Sequence, residues 1–155
     1  MSKYRDTETL DLVIFDLFGE MRERIFVDGI AEDGGKIGQY STKPASFGIN
    51  SGPKKITPSK KGGKTRFFED GYKGYRAAQN RQSQFVDLRL TGTLRESFIV
   101  ERKGKEWVAG FINPQQAMIA TANEDRFGKT VFAHTVAELN KIGDLLEHHS
   151  QGGQL

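Results

Sequence analysis

The chain has 155 residues, enough for one domain, and 36% of them are hydrophobic, enough for a modest core. It contains no cysteine, which excludes disulfides and thiolate metal sites. No run of about 18 apolar residues is present, which excludes a membrane-spanning helix. The opening stretch MSKYRDTETLDL lacks the apolar segment of a signal peptide, so we expect a soluble chain made in a cytoplasm.

The net charge of +3 conceals a strong asymmetry along the chain. Residues 1–33 carry nine acidic and four basic side chains, whereas residues 43–81 carry ten basic and two acidic ones. The positive field therefore comes from one stretch of the chain. Such a stretch is either a solvated loop or a contact surface for an anionic partner.

The first predicted element is a helix over residues 7–27. Its apolar residues recur at the i, i+3, i+4 spacing of one buried helix face. They are Leu10, Val13, Ile14, Leu17, Phe18, Met21 and Ile25. Gly19 lies in the middle of this helix at a cost of about 1 kcal/mol relative to alanine, which suggests that a neighbour approaches closely there.

The next segment, residues 29–66, is predicted to be an extended arm that orders only on contact with a partner. It is rich in glycine, proline and lysine, and it shows no apolar periodicity. Six cationic side chains in it are the candidate contacts with DNA or protein: Lys54, Lys55, Lys60, Lys61, Lys64 and Arg66.

Within this arm, the stretch SKKGGKT at residues 59–65 looks like the end of a phosphate-binding loop. That motif requires a glycine where this chain has Pro58, which has no N–H group to offer a phosphate. The sequence therefore excludes a nucleotide site there.

Residues 67–149 are predicted to form an α+β core. The stretch RFFEDGYKGYRAAQNR is compatible with a short helix, and SQFVDLRLTG alternates as a half-buried strand does. The stretch SFIVERKGKEWVAGFI predicts a β-hairpin. Phe98, Val100, Trp107 and Phe111 would share one face of that hairpin.

Two more helices are predicted before a flexible tail at 150–155. One begins at Pro114 and runs to about Ala122. The other is capped by Thr135, with Glu138 completing a capping box. Its apolar stripe consists of Val136, Leu139, Ile142, Leu145 and Leu146. The whole is expected to be a single α+β domain over 1–155, with two main helices packed on a small antiparallel sheet and a long basic loop after the first helix.

The sequence offers little support for catalysis. Its three histidines, His134, His148 and His149, are not spaced as metal ligands, and none of the nucleophile, zinc or calcium motifs is present. We therefore expect a protein that is not an enzyme and that binds neither a metal nor a cofactor.

Four stretches of the chain together resemble one family. They are RIFVDGIAEDGGKIGQYS, FFEDGYKGYR, VDLRLTGTLRESFIV and ANEDRFGKTVFAHTVAEL. Their order resembles the virion-morphogenesis proteins of tailed bacteriophages, which complete the tail or form the neck, and the resemblance spans roughly residues 24–146. The motif residues for which it implies a structural role are Gly29, Tyr40, Gly92, Leu94 and Gly128. Gly92 is expected at a turn, where glycine allows a φ that other residues resist.

The resemblance implies a non-enzymatic virion component that is assembled in the host cytoplasm. Such a protein would act as a subunit of an oligomeric ring at the neck, between portal-side connector proteins and tail proteins. The acidic first helix and the basic arm would provide unlike surfaces for these contacts, and the arm could also touch packaged DNA. The alternative from the residues alone is a module that binds nucleic acid without reading its sequence.

Overall fold

The structure is a computed structural model that describes residues 3–58, 63–89 and 91–150, with side chains described from residue 10 to residue 148. These ranges contain five helices and two antiparallel sheets of two strands each, which confirms the α+β class. The elements are α1 (Lys3–Phe26), β1 (Ala45–Gly48), β2 (Thr65–Phe68), α2 (Gly71–Ala78), α3 (Thr93–Ser97), β3 (Phe98–Lys103), β4 (Glu106–Phe111), α4 (Pro114–Phe127) and α5 (Val136–Ser150). No helix in the described ranges is long and apolar enough to cross a membrane.

The main core lies between α1 and the hairpin of β3 and β4. Phe98 is 1% exposed and its ring centroid lies 5.1 Å from that of Phe18 on α1. Phe98 pairs with Phe111 across the hairpin, and Trp107 at the far end meets Phe15 edge to face at 5.2 Å. The predicted hairpin and its shared apolar face are therefore confirmed.

The last helix, α5, packs along α1. The Arg24 guanidinium donates to the Glu138 carboxylate at 2.8 Å, and both side chains are about nine-tenths buried. The capping box is confirmed, because Glu138 accepts from the Thr135 N–H at 2.8 Å and its own N–H donates to the Thr135 hydroxyl at 3.1 Å. The apolar stripe of α5 is only partly covered, since Val136 and Leu139 are more than half exposed.

A second, smaller core forms where the irregular arm was expected. Strands β1 and β2 pair antiparallel inside and beside that segment, and Ile56 is buried against Phe68 and Tyr75. Phe47 stacks on Tyr75 with ring centroids 4.9 Å apart. The segment 29–66 is therefore not an irregular arm throughout, because its few apolar side chains pack on aromatic residues of α2. Apolar periodicity within the segment does not reveal such a contact.

Two sequence-based predictions were wrong, one of a strand and one of the end of a helix. Residues 83–89 and 91–92 contain no strand: Val86 and Asp87 are buried in irregular chain. Helix α4 continues past Ala122 to Phe127. At 83–92 tertiary packing overrides a local pattern that imitates a strand's alternation. Helix α4 instead ends at a local signal, Gly128, whose left-handed conformation caps the helix.

Candidate functional site

A groove lies between the segment 40–47, helix α2 and helix α4. It consists of two hollows of about 280 and 400 Å³ that share Tyr72 and Arg126 as lining residues. We call it the Tyr72 groove. Its walls are formed by Tyr40, Ser41, Lys43, Pro44, Ala45, Phe47, Tyr72, Arg76, Leu88, Thr91, Gly92, Thr93, Leu94, Gln116, Ile119, Asn123, Arg126 and Phe127.

A buried polar network lies at the wall of this groove. The Tyr40 hydroxyl donates to Asp87 Oδ1 at 2.8 Å and accepts from the Asp87 backbone N–H at 3.1 Å. The Arg76 guanidinium is 1% exposed, donates to the same Asp87 oxygen at 2.7 Å and lies over the Tyr40 ring at 4.3 Å. A second donation, to the Gln82 carbonyl at 2.8 Å, further fixes the arginine.

Burial, and after it the charge of Asp87, raises the pKa of Tyr40 well above the ordinary value for a tyrosine. The hydroxyl therefore keeps its proton and serves as a fixed donor to Asp87. The network joins segments that are far apart in sequence, since Tyr40 and Asp87 are 47 residues apart. It holds the irregular stretch after Val86 against α2 and shapes one side of the groove.

The same wall contains unusual backbone. Leu88 has a φ of 52°, which is uncommon for a residue with a branched side chain, and Gly92 has a φ of 99°. Gly92 was expected at a turn whose φ other residues resist, and its positive φ agrees with that expectation. For a residue other than glycine, such as Leu88, backbone held in this region costs about 1–3 kcal/mol and often marks a functional surface, because the fold must over-determine it.

The groove has a one-sided charge. Lys43 and Arg126 lie exposed in its walls, and none of the lining residues in the described part of the chain is a carboxylate. The charge of the buried Arg76 is compensated by Asp87, so the two exposed cations set the charge of the groove. Tyr72 and Phe47, whose rings are in contact, add aromatic surface to the hollow that both exposed cations line. The groove is thus suited to a partner that presents carboxylates beside apolar side chains.

Three of the five motif residues of the resemblance line this groove, and the other two, Gly29 and Gly128, do not. Tyr40, Gly92 and Leu94 line it, and Leu94 is buried. Gly128 ends α4 in the left-handed conformation with a φ of 61°. Gly29 has a φ of 64°, and a Cβ there would lie 2.3 Å from the Val86 carbonyl oxygen, so only glycine fits.

Four of the six candidate cationic residues lie on β2 or in the chain between β1 and β2, and none of the four lines the Tyr72 groove. The backbone N–H of Ile49 donates to the Lys64 carbonyl at 3.0 Å, and the Ile49 carbonyl accepts from Ile56, next to Lys55, at 3.1 Å. Lys54, Lys55, Lys64 and Arg66 are exposed, and within the described residues none of them pairs with a carboxylate. Lys60 and Lys61 lie outside the described residues.

The part of the chain that the structure describes contains no group of three or more His, Cys, Asp and Glu side chains that could hold a metal ion. His134 lies with Nδ1 3.6 Å from Glu138, which already serves the cap of α5 and the ion pair with Arg24.

Sequence reasoning did not single out four residues of the site: Lys43, Arg76, Asp87 and Arg126. Arg76 and Asp87 stand in stretches quoted for the resemblance, but nothing local marks a buried pair, and Lys43 and Arg126 come together only through the fold. The one signal in the sequence was Asp87 in a strand-like pattern, since a carboxylate beside apolar residues requires a buried partner.

Comparison with known proteins found no matching family model, no similar curated protein and no similar solved structure. The resemblance to phage virion-morphogenesis proteins therefore stays a prediction.

Proposed function

We propose that the protein is a structural, non-enzymatic component of a tailed bacteriophage virion, a subunit of an oligomeric neck ring in head–tail joining or tail completion. Its partners would be copies of itself, the portal-side connector proteins and tail proteins. It requires no cofactor. Two observations support the proposal: the resemblance of the four sequence stretches, and the exposed outer face of the β3–β4 hairpin.

The observation that carries this proposal is the uncovered outer face of the β3–β4 hairpin. Ile99 and Gly110 face each other on it, as do Glu101 and Val108. Val108 is 38% exposed, and Ile112, the residue after the end of β4, is 67% exposed. The end of this face near Phe111 is apolar, whereas Glu101 and Lys103 form an ion pair towards the turn. A sheet of two strands with an exposed apolar patch and unpaired edges is typical of a surface that another polypeptide covers.

The exposed end of this hairpin provides the test. Ile112→Asp should leave the fold intact yet prevent incorporation into particles, because a carboxylate would have to be buried in the contact. Val136→Asp is the matched control, since Val136 is 68% exposed but lies at the start of α5, where an acidic residue is favourable. Complementation of a phage that lacks the gene, followed by mass spectrometry of purified particles, measures incorporation. Wild-type protein that never enters particles would refute the proposal.

A second candidate function is binding of nucleic acid without sequence preference. It is favoured by the four exposed cations of the β1–β2 hairpin, which have no carboxylate partner in the described ranges. Replacing Lys54, Lys55, Lys64 and Arg66 by glutamine should weaken DNA binding and reduce the slope of log K against log salt by up to about four. An unchanged slope would exclude this cluster as the contact.

A further inference from the structure

The exposed side of α1 has features that the fold of one copy does not explain. Leu12, Phe15, Asp16, Gly19, Glu23 and Val27 are all exposed and recur at helical spacing, and we call this set the outer α1 face. Leu12 is 66% and Phe15 49% exposed, although Phe15 also touches Trp107. The face is thus apolar in part, and its exposed members remain open to solvent apart from the contact of Phe15 with Trp107 of β4.

Gly19 lies at the centre of the outer α1 face. A Cβ built on it would meet nothing within 4 Å. A glycine inside a helix costs about 1 kcal/mol relative to alanine, and packing within this chain provides no compensation. Close approach by a second polypeptide would provide one, because a side chain at this position would hold that polypeptide away.

The charge of the outer α1 face limits which surface can cover it. Asp16 and Glu23 have no cationic partner within the described residues, and the face contains no basic side chain. Two outer α1 faces packed on each other would oppose carboxylate to carboxylate, which is unfavourable. A symmetric contact of this face with itself is therefore disfavoured, and the partner surface should be cationic.

We propose that the outer α1 face of one copy packs on the Tyr72 groove of the next copy. Lys43 and Arg126 would lie opposite Asp16 and Glu23, and the apolar side chains of the helix would meet the aromatic surface of the groove. Because the two surfaces differ, the contact is head-to-tail and repeats into a closed ring when the rotation between copies permits. The inference rests on the proposed neck-ring function, for which it names the subunit contact.

A steric test uses two glycines in matched settings. Gly19→Leu should weaken self-association, measured as Kd by sedimentation velocity, by tenfold or more, because leucine occupies the space of the neighbour. Gly143→Leu in α5 is the control, since Gly143 is also exposed with nothing within 4 Å. Both variants should melt at or above the wild-type temperature, because leucine is the better helix former. Equal Kd values for the wild type and Gly19→Leu would overturn the contact.

A charge test identifies the two surfaces as partners. Asp16→Lys/Glu23→Lys and Lys43→Glu/Arg126→Glu should each be monomeric at concentrations where the wild type associates, because each opposes like charges. Mixing the two variants should restore assembly, since both altered and both unaltered surfaces then find complementary partners. Two variants that remain monomeric when mixed would exclude the pairing, as would variants that associate as well as the wild type.

The outcome also separates this inference from the proposed function. If the wild-type chain is present in particles but monomeric alone at high concentration, the contact is overturned and the proposed virion role is kept. The same holds if none of these substitutions changes its self-association. A chain that self-associates through these surfaces yet is absent from particles overturns the virion role and leaves the contact.

Discussion

Replacing Asp87 by asparagine tests the buried network behind the Tyr72 groove. Asparagine preserves the shape of the side chain and one acceptor oxygen, but it removes the charge that compensates Arg76. The guanidinium is 1% exposed and donates to Asp87 at 2.7 Å, so after the change an unpaired cation would remain buried.

Removing one partner of a buried ion pair costs about 3–5 kcal/mol, because the remaining charge loses both its partner and access to water. In a domain of this size each kcal/mol lowers the melting temperature by about 2–4 °C. We therefore expect Asp87→Asn to melt about 6–20 °C below the wild type. Chemical denaturation should show a lower midpoint with an unchanged slope.

Asp11→Asn is the matched control, with the same chemical change in an exposed pair. Asp11 lies 3.3 Å from Arg102, and these side chains are 29% and 40% exposed. Such a pair contributes at most about 1 kcal/mol. The double variant Arg76→Met/Asp87→Asn should be more stable than the sum of its single changes predicts, because no unpaired charge remains. If Asp87→Asn costs no more than Asp11→Asn, the pair does not carry the stability assigned to it.

Three further predictions follow from particular contacts. The pKa of Tyr40 is raised in the folded state, so its contribution to the free energy of unfolding should be complete below pH about 10. Above that pH the contribution should decline by up to about 1.4 kcal/mol per pH unit. Thermal melts between pH about 9 and about 11 should show this decline in the wild type and a smaller one in Tyr40→Phe. Gly29→Ala should destabilise the fold by more than about 2 kcal/mol, because its Cβ would clash with the Val86 carbonyl. Gly34 also has a positive φ but open space around it, so Gly34→Ala should cost only about 1 kcal/mol. Equal losses of stability in denaturant titrations would contradict the steric argument. Thr135→Ala should cost about 0.5–2 kcal/mol through loss of the cap of α5, and an unchanged denaturation midpoint would contradict that role.

The first helix, the β3–β4 hairpin and the Thr135 capping box could be predicted from the sequence because each depends on local spacing. Apolar residues at helical intervals, two β-rich runs around a glycine turn, and a threonine three residues before a glutamate are patterns within about 20 residues. Gly92 was also predicted as a turn residue, and its φ of 99° agrees.

The groove and both buried ion pairs were not predictable in this way. Arg24 and Glu138 are 114 residues apart, and Tyr40 reaches Asp87 across 47 residues. Whether a charged side chain is solvated or buried depends on what the rest of the chain brings beside it, which no local pattern records.

By itself, the sequence determined the α+β class, the elements with clear periodicity, and the separation of acidic and basic stretches along the chain. Only the tertiary structure decided that residues 45–48 and 65–68 pair as strands, that Arg76 is buried, and that Lys43 and Arg126 face one groove. Composition and spacing are properties of neighbouring residues, whereas burial and the convergence of charges are set by contacts between segments far apart in the chain.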